Sequence, residues 1–446
     1  MTKLFGTDGI RGIAGREPIT TETGNALGRA LVAWCRNRRH APRVVIGRDT
    51  RISGASLEDA VAEGICASGG AAAMAGVIPT PGVAYLAREQ KAGAGVVISA
   101  SHNPHDYNGF KVFSGSGFKL TDAEEGEIEG LMHAGPAVRP GQGASQPEKL
   151  QHARDSYLQF LGKAAEDAGS LKDLTVVLDC ANGAASVVAP QLFENLCGAV
   201  DVMFAGPDGT NINDGCGSEH TGPLSERVLS TGAHAGLAFD GDADRLIAVD
   251  ESGRTLTGDQ LMAICARMLK DRGELKNSLV VTTVMSNVGL RFALQEMDIS
   301  HVAAPVGDRH VMEEMRVGGA VLGGEASGHT IFSMHHTTGD GLLTAIQLLA
   351  ALKWFDRPLS QLAGFMTLFP QALVNVPVTR KPPLPQVSEL AAVVEAVEAE
   401  LGDRGRVLVR YSGTEPLCRV MVEGEDESRV REMAARIVRT VKEHLG

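Results

Sequence analysis

At 446 residues the chain exceeds the roughly 250–300 residues at which one hydrophobic core stops growing, so two to four domains are expected. Its 43% hydrophobic and 22% charged residues exclude disorder over most of the length. A net charge of −12 and 4% aromatic residues argue against a nucleic-acid surface, so any bound phosphate must be met by a few placed cations. The seven cysteines are scattered, with no C-x-x-C pair, which suits reduced thiols and a cytoplasmic protein.

The N-terminal stretch KLFGTDGIRG, residues 3–12, has no apolar run of signal-peptide length and sets Arg11 after two glycine turns, where backbone can lie close to a ligand. Residues 44–47 read as a strand and 56–68 as a helix. A β-branched strand at 96–99 then runs into the polar loop of VISASHNPHDYN, delivering Ser101 beside His102 with no evident base. Lys111 follows shortly as a further cation. The Gly- and Pro-rich residues 133–147 read as a linker, which places a first boundary near 150.

A strand at 175–179 and a helix at 185–197 lead to FDGDADRLIAVD, residues 239–250. There Asp240, Asp242 and Asp244 alternate on a loop between apolar strands. Carboxylates ~5 Å apart repel by ~3 kcal/mol per pair at an effective dielectric of ~20, so a cation is required. A hard divalent ion, Mg²⁺, satisfies such oxygen ligands while keeping a position for a phosphate oxygen. The spacing to Glu251 also matches a calcium loop, but the position that demands glycine holds Arg245 and the flanks read as strands. Arg245 is itself a cation next to the acidic loop.

Residues 250–258 turn toward a helix at 260–269 and mark a second boundary. In VLGGEASGHTI, residues 321–331, the spacing of Glu325, Ser327 and His329 predicts an extended backbone with all three on one face, suited to sugar hydroxyls. Residues 342–355 read as a buried helix, too short and interrupted to span a bilayer. Past a third boundary near 369, strands at 374–378, 407–410 and 419–422 precede a helix with Val430, Met433, Ile437, Val438, Val441 and Leu445 on one face. Between the last two strands, Arg410 and Arg419 bracket the turn Ser412, Gly413 and Thr414, a phosphate cradle. The expected fold is α/β: three related mixed α/β domains (1–150, 151–252, 253–368) and an α+β domain (369–446). No Walker A and no G-x-G-x-x-G follows a strand, so the chemistry is phosphoryl transfer from a donor other than ATP.

The set ASHNP, DGDADR, GEASGH and RYSGTEP, in this order along the whole chain, resembles the α-D-phosphohexomutase superfamily, and FGTDGIRG and VGDRHV point to its glucosamine-phosphate branch. The resemblance implies four domains around a central cleft. It implies that Ser101 is the phosphorylated residue and shares Mg²⁺, one per site, with Asp240, Asp242 and Asp244. Glu325, Ser327 and His329 would read sugar hydroxyls, while Arg410, Ser412, Gly413, Thr414 and Arg419 would hold the unreacting phosphate. Arg11, His102, Lys111 and Arg245 match positions near the reacting phosphate. The implied activity is reversible conversion of glucosamine-6-phosphate to glucosamine-1-phosphate through a 1,6-bisphosphate, which also primes the enzyme; mannose or glucose phosphates are the alternative substrates. A small phosphosugar, no nucleic acid and no membrane are the implied partners, with a homodimer formed through the first domain. Tyr411 and His310 stand where proline and tyrosine are commoner in the superfamily.

Overall fold

The computed structural model describes residues 3–6, 8–134, 145–412 and 416–446; Gly413, Thr414 and most of the expected linker at 133–147 lie outside them. The chain divides into two compact units, one of residues 1–285 with 298–365 and one of residues 286–297 with 366–446.

The first unit contains three sheets with one recurring plan. A central strand (Arg43–Arg48, Leu171–Asp179 or Leu279–Thr283) is flanked by two parallel neighbours. These are Ala71–Val77 and Ala94–Ile98, Cys197–Met203 and Ala235–Phe239, and Ser300–Ala304 and Leu322–Gly324. The second of each pair then turns back into an antiparallel strand: Tyr107–Ser114, Leu246–Asp250 and Thr330–Phe332. Runs such as AGVVI (94–98), AGLAF (235–239) and LVVTT (279–283) are buried at every position, as strands covered by helices on both faces must be. In each sheet the turn into this antiparallel strand carries, in order, Ser101, the three aspartates, and Glu325 to His329. This repeated topology agrees with the expectation of three related mixed α/β domains.

The expected helix at 185–197 is two pieces, a 3₁₀ turn Ala184–Val187 and an α-helix Ala189–Leu196, with Cys197 opening the next strand. Pro190 is the reason: lacking an N–H, it is tolerated in a first helical turn and marks where the α-helix restarts.

Helix Gly341–Phe355 is apolar around most of its circumference and buried accordingly. Asp340 caps it, accepting from Leu342 N and Leu343 N at 3.0 Å, and accepts a 2.7 Å bond from Tyr157 Oη. No helix among the described residues is long and apolar enough to cross a membrane. Nearby, His336 is fully enclosed: Nε2 donates to Pro81 O (3.0 Å) and Nδ1 accepts from Thr337 N (2.7 Å). Burial pushes its pKa down to about 3. The unfolded ring takes a proton near pH 6.5 and the folded ring does not, so this group's stabilisation is present above pH 6.5 and is lost as pH falls toward 3. His336→Gln is expected to flatten the acid limb of a stability-against-pH curve by up to about 1.4 kcal/mol per pH unit, read from denaturant midpoints between pH 6.5 and 4. An unchanged limb would show that other groups carry the acid lability.

The second unit is a three-stranded antiparallel sheet (Gln371–Pro377, Leu417–Glu423, Arg406–Tyr411) backed by helices Ser388–Leu401 and Glu427–Leu445. Val430, Met433, Ile437, Val441 and Leu445 are buried as their spacing predicts, and Val438 is packed at the margin of the same core. Helix Val288–Glu296 belongs to this unit, anchored by Asn287, whose Nδ2 donates to Phe369 O (2.9 Å) and Glu423 Oε1 (3.1 Å).

Candidate active site

The first two hairpin turns meet. Ser101 leaves its strand in a left-handed conformation (φ 53°) and is buried, and its Oγ donates to Asp240 Oδ2 at 2.5 Å. His102 Nδ1 lies 3.3 Å from the same Oγ. Burial, aided by the charge of Arg245, lowers the His102 pKa, so the ring is neutral at pH 7.

One carboxylate oxygen from each of Asp240, Asp242 and Asp244 lies within 4.8 Å of the other two, and all three residues are buried. Lys111 Nζ donates to Asp242 Oδ2 (2.7 Å) and Asp244 Oδ2 (3.0 Å), and Thr80 Oγ1 also donates to Asp242 Oδ2. Among the described residues none donates a hydrogen bond to Asp242 Oδ1 or Asp244 Oδ1; the nearest ring nitrogen of His329 is 3.7 Å from the latter, an ion pair without hydrogen-bond geometry. Buried carboxylate oxygens are rarely left orphaned, and here two belong to one cluster of three aspartates. Burial and the neighbouring Asp244 and Asp242 push the Asp240 carboxyl well up, so its charged form wants a counter-ion. The residues therefore fit a hard divalent cation with oxygen ligands. A calcium loop is excluded, because strands flank the turn and the carboxylate of Glu251 accepts from Ser360 N and Oγ.

Around the triad runs an alternating chain of charge. Asp8 pairs with Arg11 and Lys119 and lies 3.6 Å from Lys111; Lys119 pairs with Asp308 (2.6 Å); and Asp308 reaches His329 Nε2 (3.1 Å). Burial opposes a charge on His329, but Asp308 and Asp244 overcome it and raise the pKa to about 10. The two carboxylates thus favour the protonated ring, while Gly339 N also points at Nε2 (3.1 Å). Arg245 lies 3.9–4.0 Å from Asp244 and Asp240. Burial penalises each ion here, and only their mutual pairing keeps them charged.

The third turn is not extended. Gly328 N donates to Glu325 O (3.0 Å) and Glu325 N to His329 O (2.9 Å), closing a tight turn in which Gly328 takes φ +93° and passes directly against the Leu246 carbonyl, leaving no room for a side chain. The reading that put Glu325, Ser327 and His329 on one face is thus corrected. His329 turns inward to two carboxylates, Glu325 Oε1 accepts from Gly307 N (3.2 Å), and Ser327 is half-buried.

In the second unit, Arg410 and Arg419 are direct cross-strand partners. Burial and then the Arg419 charge lower the Arg410 pKa, the mark of two cations that an anion would relieve. Ser412 N donates to Leu417 O (2.8 Å), and Lys381 Nζ to Ser412 O (2.8 Å). Tyr411 places its hydroxyl on Pro382 O (2.7 Å) and serves the packing of this unit.

Sequence reasoning missed Asp8, Lys119 and Asp308, which complete the charge chain, and Asp49 and Arg51, which lie behind the Ser101 loop. Asp8 stood inside a stretch singled out for Arg11, and Asp308 inside VGDRHV. The polar run RDTR directly after a buried strand was the available signal for Asp49 and Arg51.

Family comparison matches all four regions of the chain. Residues 2–138, 155–253 and 257–369 match the phosphoglucomutase/phosphomannomutase alpha/beta/alpha domains I, II and III, and residues 373–440 match its C-terminal domain. A phosphoglucosamine mutase of Syntrophus aciditrophicus is 50% identical over 100% of both chains, and one of Syntrophobacter fumaroxidans is 48% identical with the same coverage. Among solved structures, a phosphoglucomutase/phosphomannomutase family protein from Burkholderia thailandensis superposes with a TM-score of 0.82 at 24% identity, covering 99% of this chain and 97% of that one. The N-acetylphosphoglucosamine mutase of Aspergillus fumigatus, solved with GlcNAc-6P and magnesium, gives 0.66 at 16% identity, covering 99% and 95%.

Proposed function

Because the chain belongs to the phosphoglucomutase/phosphomannomutase family, we infer that it interconverts glucosamine-6-phosphate and glucosamine-1-phosphate, with Ser101 as the phosphate carrier. One observation carries this reading: a buried hydroxyl on one hairpin turn lies 2.5 Å from a carboxylate of a three-aspartate cluster on another. A serine so placed needs no protease-like base, because it works as a phosphoserine that gives its phosphoryl group to a sugar hydroxyl and recovers the other phosphate of the resulting bisphosphate. Positioning and charge do most of the work in such transfers.

Asp240, Asp242 and Asp244, together with the Ser101 phosphate, would hold Mg²⁺, which when bound supplies positive charge to the transferring phosphoryl group. Lys111, Arg11 and Arg245 line the approach as fixed cations, and neutral His102 can donate or accept one proton beside Oγ. Glu325 and Ser327 are assigned to sugar hydroxyls. His329 is assigned to holding Asp244 and Asp308 in place. Arg410, Arg419 and Ser412, with Gly413 and Thr414, are assigned to the phosphate that is not reacting, a role supported by the cross-strand arginine pair. A sugar 1,6-bisphosphate would prime Ser101.

Turnover of glucosamine-6-phosphate, mannose-6-phosphate and glucose-6-phosphate, compared with Mg²⁺ and a bisphosphate primer, tests the reading. The amino sugar is expected to give the highest kcat/KM; preference for either neutral sugar would reassign the substrate. Mg²⁺ at about 100 times its Kd is expected to stabilise the first unfolding transition by about 2.7 kcal/mol. Asp242→Asn should remove most of that gain in a thermal melt, and an equal gain in both proteins would move the cation elsewhere.

A further inference from the structure

Two side chains hold the Ser101 loop from behind and touch neither the cation cluster nor the Ser101 hydroxyl. The first is Arg51, 1% exposed. One terminal nitrogen donates to the carbonyls of Ser101 (3.0 Å) and Asn103 (2.7 Å), the other to Pro104 and Tyr107 (3.0 Å for the latter). Its Nε pairs with Asp49 Oδ2 (2.9 Å), which accepts from Ser99 Oγ (2.6 Å), which in turn accepts from Ser101 N (2.9 Å).

The second is Asn213, which follows the second strand of the middle sheet. Its Nδ2 donates to the same carbonyls of Ser101 (2.9 Å) and Asn103 (3.0 Å). Each of these nitrogens carries two hydrogens and each carbonyl two lone pairs, so four bonds are satisfied with none left over. Gly241 of the aspartate loop closes over the set: a Cβ there would stand 2.6 Å from Ser101 O and 2.9 Å from Asn213 Nδ2.

We propose that Arg51 and Asn213 are positioning residues for phosphoryl transfer: by pinning the carbonyls on either side of His102 from two different domains, they set the line along which Ser101 Oγ faces the cation site. This rests on the functional reading above. Ser101 sits at φ 53°, a conformation costly for a residue with a Cβ, so the loop loosens with each bond to its carbonyls that is removed. The bisphosphate must return a phosphate along the line from which the first one left, so a serine that wanders loses turnover rather than substrate affinity.

Asn213→Ala in the full-length protein is the decisive variant, because Arg51 still engages both carbonyls and the fold is retained. A kcat loss on the order of 100-fold is expected, with KM for the sugar phosphate within about twofold of wild type. Hydrogen exchange in the peptide covering residues 99–108 should accelerate, with the rest of the protein unchanged. Arg51→Lys should lose more, since one ammonium cannot serve four carbonyls. An unchanged kcat, whatever the exchange, overturns the proposal, as does a fall in kcat without faster loop exchange. If wild type turned over no hexose phosphate, the functional reading would fall alone; exchange would still decide the clamp, acceleration supporting it and no change refuting it.

Discussion

Ser101→Ala is expected to drop mutase turnover to the detection floor, roughly 10⁴-fold or more below wild type, because the group assigned to carry the phosphate is gone. The side chain is small and its hydroxyl makes one strong contact, to Asp240 at 2.5 Å. Alanine keeps the backbone demand at φ 53° unchanged and leaves the carbonyl bonds of Arg51 and Asn213 in place. Circular dichroism should therefore match wild type, and thermal melting should show a loss of no more than about 1–3 kcal/mol from leaving Asp240 Oδ2 without this donor. Intact-mass spectrometry after incubation with sugar bisphosphate should show one added phosphate on wild type and none on the variant. Turnover within tenfold of wild type would remove Ser101 from the role.

Lys111→Met should be the most destabilising single change at the site. The ammonium is 2% exposed and sits 2.7, 3.0 and 3.6 Å from Asp242, Asp244 and Asp8. Burial works against its charge, yet these three carboxylates raise its pKa far above the ordinary lysine value, so it stays protonated through any assay range. Removing one partner of a buried ion cluster leaves uncompensated charge, which costs about 3–5 kcal/mol. The variant also strips Asp244 Oδ2 of its donor and leaves Asp242 Oδ2 with Thr80 Oγ1 alone, so Mg²⁺ should restore more stability to it than it adds to wild type, a difference that melts with and without EDTA will read. A loss under about 1 kcal/mol would mean the carboxylates relax into water, and the cluster would then be weaker than its distances imply.

Much of this architecture was legible in advance because buried strands announce themselves. The runs at 94–98 and 235–239 are apolar at every position, and the sudden polarity after each marks a turn with a task. The aspartate triad was legible for the same reason: three like charges on one short turn demand an explanation. What stayed hidden depends on distance along the chain. Asp308 and His329 become an ion pair only when a helix N-terminus meets a hairpin turn, and nothing local distinguishes Asn213 from a solvated loop residue. The alternating Glu325, Ser327 and His329 misled because period two also arises in a tight turn when a glycine can take positive φ, as Gly328 does. Pro190 likewise divided a helix whose hydrophobic pattern ran straight through it.

The recurrence of one strand order in three successive sheets has a consequence for how such a protein can change. Each copy presents its turn at the same address, so under the proposed function labour is divided by module: donor in the first, cation in the second, sugar contacts in the third. On that reading, substitutions in the 325–328 turn would retune which hexose is accepted while leaving the transfer apparatus intact, and the contacts of His329 with Asp244 and Asp308 would limit how far that drift can go.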